Sequence, residues 1–347
     1  NGDTLTVAKK GVVTNNGDLD ILNTGDGGFV NAGTIASIGN LDITNTGLGG
    51  FETTGVITNT NGSMTLTNKD GAMRVGGAVT GTNTDTITIS NESENGGLTL
   101  DGTVANISGD VDITSLSGLN LVQNGKVSGD TISITNKDAD MVLAGEVSGD
   151  ESVAITNAGS GKAVVNGEIN AETGLSFENS GLGGADITGT LANESGDMSV
   201  VNTNGTLLIG GDLQNADGKM SITNAGDGLE LTSAGTVNNN GELVVFNSGA
   251  NGMNLNGVIE NTGDAILTNN AGDMNINNTL TNTQGKLNIT NHGDTLNIAG
   301  TVTNDDTLKV WNTGANGTNI TGTLTNSNGN AAIQNDAGDL KIAGIVT

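Results

Sequence analysis

Apolar residues in this chain fall in short alternating pairs, and Asn or Gly separates the pairs at regular intervals. The stretch "LNITNHGDTLNIAGTVTN", Leu287 to Asn304, shows the rule. One pair precedes an Asn, a second precedes a Gly, and a lone Val follows two residues later. Alternation with period two puts Leu287 and Ile289 on one face and Asn288 and Thr290 on the other, which predicts short, half-buried strands. Aligned on Gly-x-(Val/Ile/Leu), the apolar member recurs at Val13, Ile35, Ile57, Val79, Val104, Val127, Val147, Ile169, Leu191, Leu213, Val237, Ile259, Leu280, Val302, Leu324 and Val346, sixteen copies about 22 residues apart. Only Asn278 replaces the Gly.

A second mark is the Asn that closes each Leu-x-Ile-x-Asn strand: Asn23, Asn45, Asn68, Asn91, Asn136, Asn157, Asn179, Asn202, Asn224, Asn247, Asn269, Asn291, Asn312 and Asn335, with Ser115 as the exception. Between the two marks lies a third apolar pair, such as Leu98 and Leu100 or Met274 and Ile276. Each repeat therefore holds three short strands and three corners. A single repeat cannot bury its apolar face alone, so repeats stack, each strand pairing in parallel with its counterpart one coil away. The predicted fold is all-β: a single-stranded parallel β-helix of about 15 to 16 coils, one continuous domain over residues 1–347 with no capping segment at either end. At a strand spacing of about 4.8 Å the rod is on the order of 75 Å long. Asn tolerates left-handed backbone, and an inward column of its amides is expected to hydrogen-bond from coil to coil. Gly is expected at the other bends, because it allows positive φ there.

Composition sharpens this picture. Gly numbers 57, yet 34% of residues are apolar and regularly placed, which opposes disorder. Proline is absent, as expected where nearly every strand is paired on both edges. Phe29, Phe51, Phe177, Phe246 and Trp311 are the only aromatics, so the core is narrow. A net charge of −27 with 11 basic residues, Arg74 the sole arginine, opposes nucleic-acid and anionic-membrane partners. No apolar run is long enough for membrane insertion. The lack of cysteine fits a bacterial protein exported unfolded and is equally permitted in the cytosol. The chain opens at Asn1 without Met, as a processed or excised segment would.

The repeats "GDMNINNTLTNTQGKLNITNHGDTLNIAGTVTNDD" resemble those of the filamentous haemagglutinin-like exoproteins and related passenger segments of bacterial adhesins. That resemblance implies a right-handed parallel β-helix at an extracellular, bacterial cell-surface location. Members of the family carry an N-terminal secretion domain with Asn-Pro-Asn motifs, which a chain without proline does not contain, so the resemblance implies shaft alone or a different export route.

Chemistry-bearing residues are sparse. His292 sits between Asn291 and Gly293 at a corner, with no second His or Cys to share a metal. The run "AGSGKA" from Ala158 lacks the early Gly and the Ser or Thr of a phosphate loop. Paired acids such as Asp138 and Asp140, Glu92 and Glu94, or Asp305 and Asp306 read as solvated turn residues rather than a glycosidase pair, because no repeat carries an insertion long enough to build a cleft. No enzyme and no cofactor are expected. Acids recur in the turn after the Asn column at Asp26, Asp70, Asp138, Asp227, Asp273, Asp294 and Asp339, which makes them the candidate calcium ligands.

Outward positions on the Asn strand are mostly polar, as at Asp42 and Thr44, Thr65 and Thr67, or Thr88 and Ser90. Glu178, Val201, Phe246 and Trp311 interrupt that row, which weighs against an ice-binding face. Val201, Val244, Phe246, Ile266 and Trp311 form an apolar stripe expected to meet another rod, with Phe246 nearly touching Ile266 and Trp311 three coils beyond Phe246. Leu5, Val7 and Val13 already fit the repeat and "LKIAGIVT" closes the chain, so the expected partner is the chain itself, head to tail and laterally, or further repeats of a longer chain. The function expected is structural: the shaft of a surface adhesin or the subunit of a bacterial surface filament. A glycan- or receptor-binding adhesin is the alternative, disfavoured by the few exposed aromatics; a β-helical polysaccharide-degrading enzyme and an ice-binding protein are remoter ones.

Overall fold

Residues 3–347 are described by the computed structural model. Among them every regular element is a β-strand, and no helix is long and apolar enough to cross a membrane. The chain divides into two compact units, Asn1–Glu172 and Thr173–Thr347. Each is a parallel β-solenoid with the coil length read from the sequence. In the first unit the apolar-pair strands stack in phase, Leu5 on Phe29, then Phe51, Met73, Leu98, Leu119, Met141 and Ala163. In the second, Ala185, Leu207, Leu229, Met253, Met274, Leu296, Thr318 and Leu340 stack in a column of their own. The Gly-x-Val strands and the Asn strands belong to the other sheet.

Register is kept from coil to coil, with shifts only at Thr84/Ile87 and Gly129/Thr131 among the described pairings, and lets like side chains pile into inward columns. Leu287, Ile289, Leu296, Ile298 and Val302, the apolar residues of one coil, are all 0% exposed. Each such burial stabilises by about 1.5–3 kcal/mol, which no isolated repeat achieves. Phe29 and Phe51 stack inside with ring centroids 4.7 Å apart, and Phe177 is also buried. The three-strand coil has exceptions. Lys126–Asn136 and Glu146–Asn157 each run through a corner as one strand, where Gly129 and Gly149 occupy the turn.

The expected Asn column is present. In the second unit Asn179, Asn202, Asn224, Asn247, Asn269, Asn291, Asn312 and Asn335 form a ladder, each Nδ2 donating to the next Oδ1 at 2.7–3.2 Å. At several rungs the other Nδ2 hydrogen serves the coil's own turn, as from Asn202 to the Gly205 carbonyl at 3.1 Å and from Asn269 to Gly272 at 3.1 Å. In the first unit Asn23, Asn45, Asn68 and Asn91 are linked in the same way, and Asn136 to Asn157. Between these runs stands Ser115, whose Oγ donates to the Gly118 carbonyl at 2.6 Å. That leaves Asn136 Oδ1 buried without a donor.

A second ladder, not anticipated from the sequence, closes the Gly-x-Val strands of the second unit. Asn193, Asn215, Asn239, Asn261, Asn282, Asn304 and Asn326 are linked at 2.7–3.0 Å. In the first unit the residues that close the Gly-x-Val strands read Asn15, Ser37, Asn59, Gly81 and Asn106, so no continuous ladder forms there. Asn59 and Asn106 follow the interruptions, and their buried Oδ1 atoms have no donor.

The role expected of the Gly-x-Val glycines needs correction. None of them has positive φ; that backbone occurs in other turns, as at Gly50 and Gly252. These glycines lack a side chain because the carbonyl of the previous coil's glycine occupies its place. A Cβ on Gly77 would lie 1.8 Å from the Gly55 oxygen. That oxygen accepts from the Ala78 amide at 3.1 Å, so it has nowhere to move. At Asn278, the one substitution in the column, the Thr279 amide turns to Asn278 Oδ1 at 2.9 Å, and strand pairing begins one residue late, at Ile259 with Leu280.

Candidate functional site

Three of the seven turn acids, Asp70, Asp138 and Asp273, accept hydrogen bonds from their own scaffold. Asp138 accepts from the Ala139 amide at 2.8 Å and, one coil on, from the Ser160 amide at 3.0 Å and hydroxyl at 2.8 Å. The Ser160 amide, with these other donors, holds its carboxyl below the usual carboxylate range. Asp273 accepts from the Thr295 amide at 2.9 Å, and Asp70 from Gly71 at 2.7 Å. Acids elsewhere do the same: Asp140, Asp197 and Asp264 receive the amides of Lys162, Lys219 and Lys286. Asp26, Asp227, Asp294 and Asp339 are exposed in their turns. Among the described residues no three acidic, His or Cys side chains converge on a point where a metal would sit.

The outward stripe is ordered differently from the expectation. Ile266 stacks on Val244, while Phe246 stands between Thr223 and Thr268, so Phe246 and Ile266 occupy neighbouring columns. Trp311 lies three register steps beyond Phe246, through Thr268 and Thr290. Val201 pairs with Glu178 and Thr223. All five apolar residues are half-buried.

Trp311 is held by its own unit. Its Nε1–H donates to Asp336 at 2.8 Å, the Lys309 ammonium lies 4.5 Å from the ring centroid, and the His292 ring meets it edge-on at 5.3 Å. His292 Nδ1 is 2.9 Å from the Thr313 hydroxyl. Sequence reading treated His292 and Trp311 separately; the signal joining them is register, since one follows its ladder Asn and the other precedes the next.

A concavity follows the outside of the second ladder in the second unit. Its volume is about 720 Å³. Gln214, Asn238, Glu260 and Thr281, each directly before a ladder Asn, form one wall, and Glu194, Ala216, Asn240, Thr262 and Thr283 form the other. The side chains next to a ladder Asn in sequence point outward because the Asn points in. The Asn240 amide is held by the Ala216 carbonyl at 3.1 Å and by the Thr262 hydroxyl. Sequence reasoning missed this groove because it looked for inserted loops, whereas here a bend between two strand columns supplies the concavity. A further outward amide row, Asn254, Asn275, Asn297 and Asn319, was also missed; its members are bonded at 2.7–3.1 Å on the apolar-pair face.

Comparison with protein-family models, with curated proteins and with solved structures finds no match to this chain.

Proposed function

We propose that this chain is a non-enzymatic structural protein of the bacterial cell exterior, the shaft of a filamentous haemagglutinin-like adhesin or the subunit of a surface filament. The observation that carries this reading is the axial bonding: two amide ladders run unbroken from coil to coil through the second unit, and interrupted runs of the same bonding tie coils of the first. Ion pairs also run from coil to coil, as Lys69 to Glu92 at 2.6 Å, Lys219 to Glu242 at 3.2 Å, and Arg74 bridging Glu52 at 2.8 Å and Asp101 at 2.5 Å. Each exposed pair contributes only about 0–1 kcal/mol. Their common direction adds to a bonding scheme that favours stiffness over catalysis. An unfolded export route suits a chain without cysteine.

The test is location. Antibodies raised against the chain should label intact cells of the producing organism, and external protease should remove the label. Labelling confined to permeabilised cells would overturn the reading. Lateral association belongs to the same proposal and rests on Val244, Ile266 and Phe246, since Trp311 is already engaged within its unit. Phe246→Ser should leave melting unchanged and weaken self-association in sedimentation; unchanged association would remove the stripe from the account.

A further inference from the structure

We propose that the groove outside the second ladder of the second unit binds a neutral glycan strand laid along the coil axis. This goes beyond the structural reading and does not depend on it.

The lining decides the ligand class. Glu194 and Glu260 are its only charged residues, and no Lys, Arg or His reaches it, so anionic polymers are repelled. Its apolar side chains are two alanines, too little to anchor a hydrophobic peptide. A peptide adding itself as a strand is excluded by the backbone: Asp212–Asn215 pairs with Thr190–Asn193 on one side and with Thr236–Asn239 on the other, leaving no open edge.

What the groove offers is two amides, a carboxylate and a hydroxyl in succession along one wall, faced by a carboxylate, an amide and two hydroxyls on the other. Gln214, Asn238, Glu260 and Thr281 stand on successive coils, about 4.8 Å apart along the axis. An amide presents a donor and an acceptor side by side, and a carboxylate presents two acceptors. These are the partners that pairs of ring hydroxyls require. The advance of one hexose in an extended polysaccharide is close to the strand spacing, so successive sugars meet successive coils. The glycan-binding alternative appeared weak because exposed aromatics were few; here the recognition is by hydrogen bonds, at regular intervals, without ring stacking.

The experiment is calorimetric titration of the intact chain with cello-, chito-, malto- and manno-oligosaccharides of increasing length. One series should bind, with affinity rising until the oligosaccharide fills the groove and level thereafter. The triple variant Gln214→Ala, Asn238→Ala, Glu260→Ala should bind at least about tenfold more weakly. Its melting should match the parent, because both Asn ladders are untouched. Asn297→Ala, on the apolar-pair face, should bind as the parent does. Absence of binding in every series, equal binding by the triple variant, or binding of polylysine in place of any neutral sugar would each overturn the proposal. Surface labelling of cells is unaffected by any of these results, so failure here is distinct from failure of the structural reading.

Discussion

A hydroxyl stands at position 115 where the ladder calls for an amide, and the neighbouring chemistry makes the effect calculable. Ser115 spends its one proton on the Gly118 carbonyl, and Asn136 Oδ1 is left without a donor. Ser115→Asn should supply that donor and the missing rung, raising the unfolding free energy by about 1 kcal/mol in denaturant titration. Gly77 carries the opposite expectation. Its missing Cβ is the space the Gly55 carbonyl fills, so Gly77→Ala should cost about 1–3 kcal/mol by displacing a paired backbone. The side chain of Asp336 is a third case. Hydrogen bonds from Gln334 and then Trp311 hold its carboxyl below the usual carboxylate range. A depressed value means that its contribution is present above the ordinary range and lost as pH falls through the depressed one. The emission of Trp311, the only tryptophan, should therefore hold steady through the ordinary carboxylate range and change below it. Asp336→Asn should abolish that step.

At the scale of the strand and its closing turn, the ladders behave as elements in their own right. Asn224→Leu removes the acceptor of Asn202 and the donor of Asn247 together, and thermal or denaturant unfolding should show a loss of about 1–3 kcal/mol for each stranded group. The first ladder was legible because its Asn always follows an apolar pair, so position and residue type coincide. The second was not, since in the first unit the residues that close the Gly-x-Val strands read Asn, Ser, Asn, Gly, Asn, and Asn after Thr-x-Thr looks like any polar loop residue. The Gly-x-Val mark was found for the right residue and the wrong reason: spacing shows that a side chain is excluded, while only the stacked carbonyl shows why. Apolar burial followed directly from period two. The groove and the His292–Trp311 contact were hidden because both join residues a coil apart in sequence.

For the molecule as a whole the dominant quantity is its charge of −27. Acids greatly outnumber bases, and self-repulsion opposes the compact state unless screened. Because turn carboxylates such as Asp138 and Asp273 already accept backbone amides one coil on, general screening is the expected response to added salt. Sodium and calcium chlorides at matched ionic strength should raise the melting temperature equally, and a chelator should change nothing. A calcium-specific rise that magnesium fails to reproduce would instead assign the acidic turns to calcium.

The inward ladders have a sense of direction. Every linking Nδ2 points toward the following coil, and at rungs such as Asn202, Asn247 and Asn269 the second hydrogen, fixed on the coil's own turn, prevents the amide from flipping. A coil that has formed thus presents a waiting proton to the one after it, and a vacancy is inherited downstream: the orphaned oxygens of Asn59, Asn106 and Asn136 all lie on the coil that follows. Damage in such a structure is vectorial. Hydrogen exchange around a removed rung should quicken on its C-terminal side first, so that order is handed forward along the chain in the same sense in which it is synthesised.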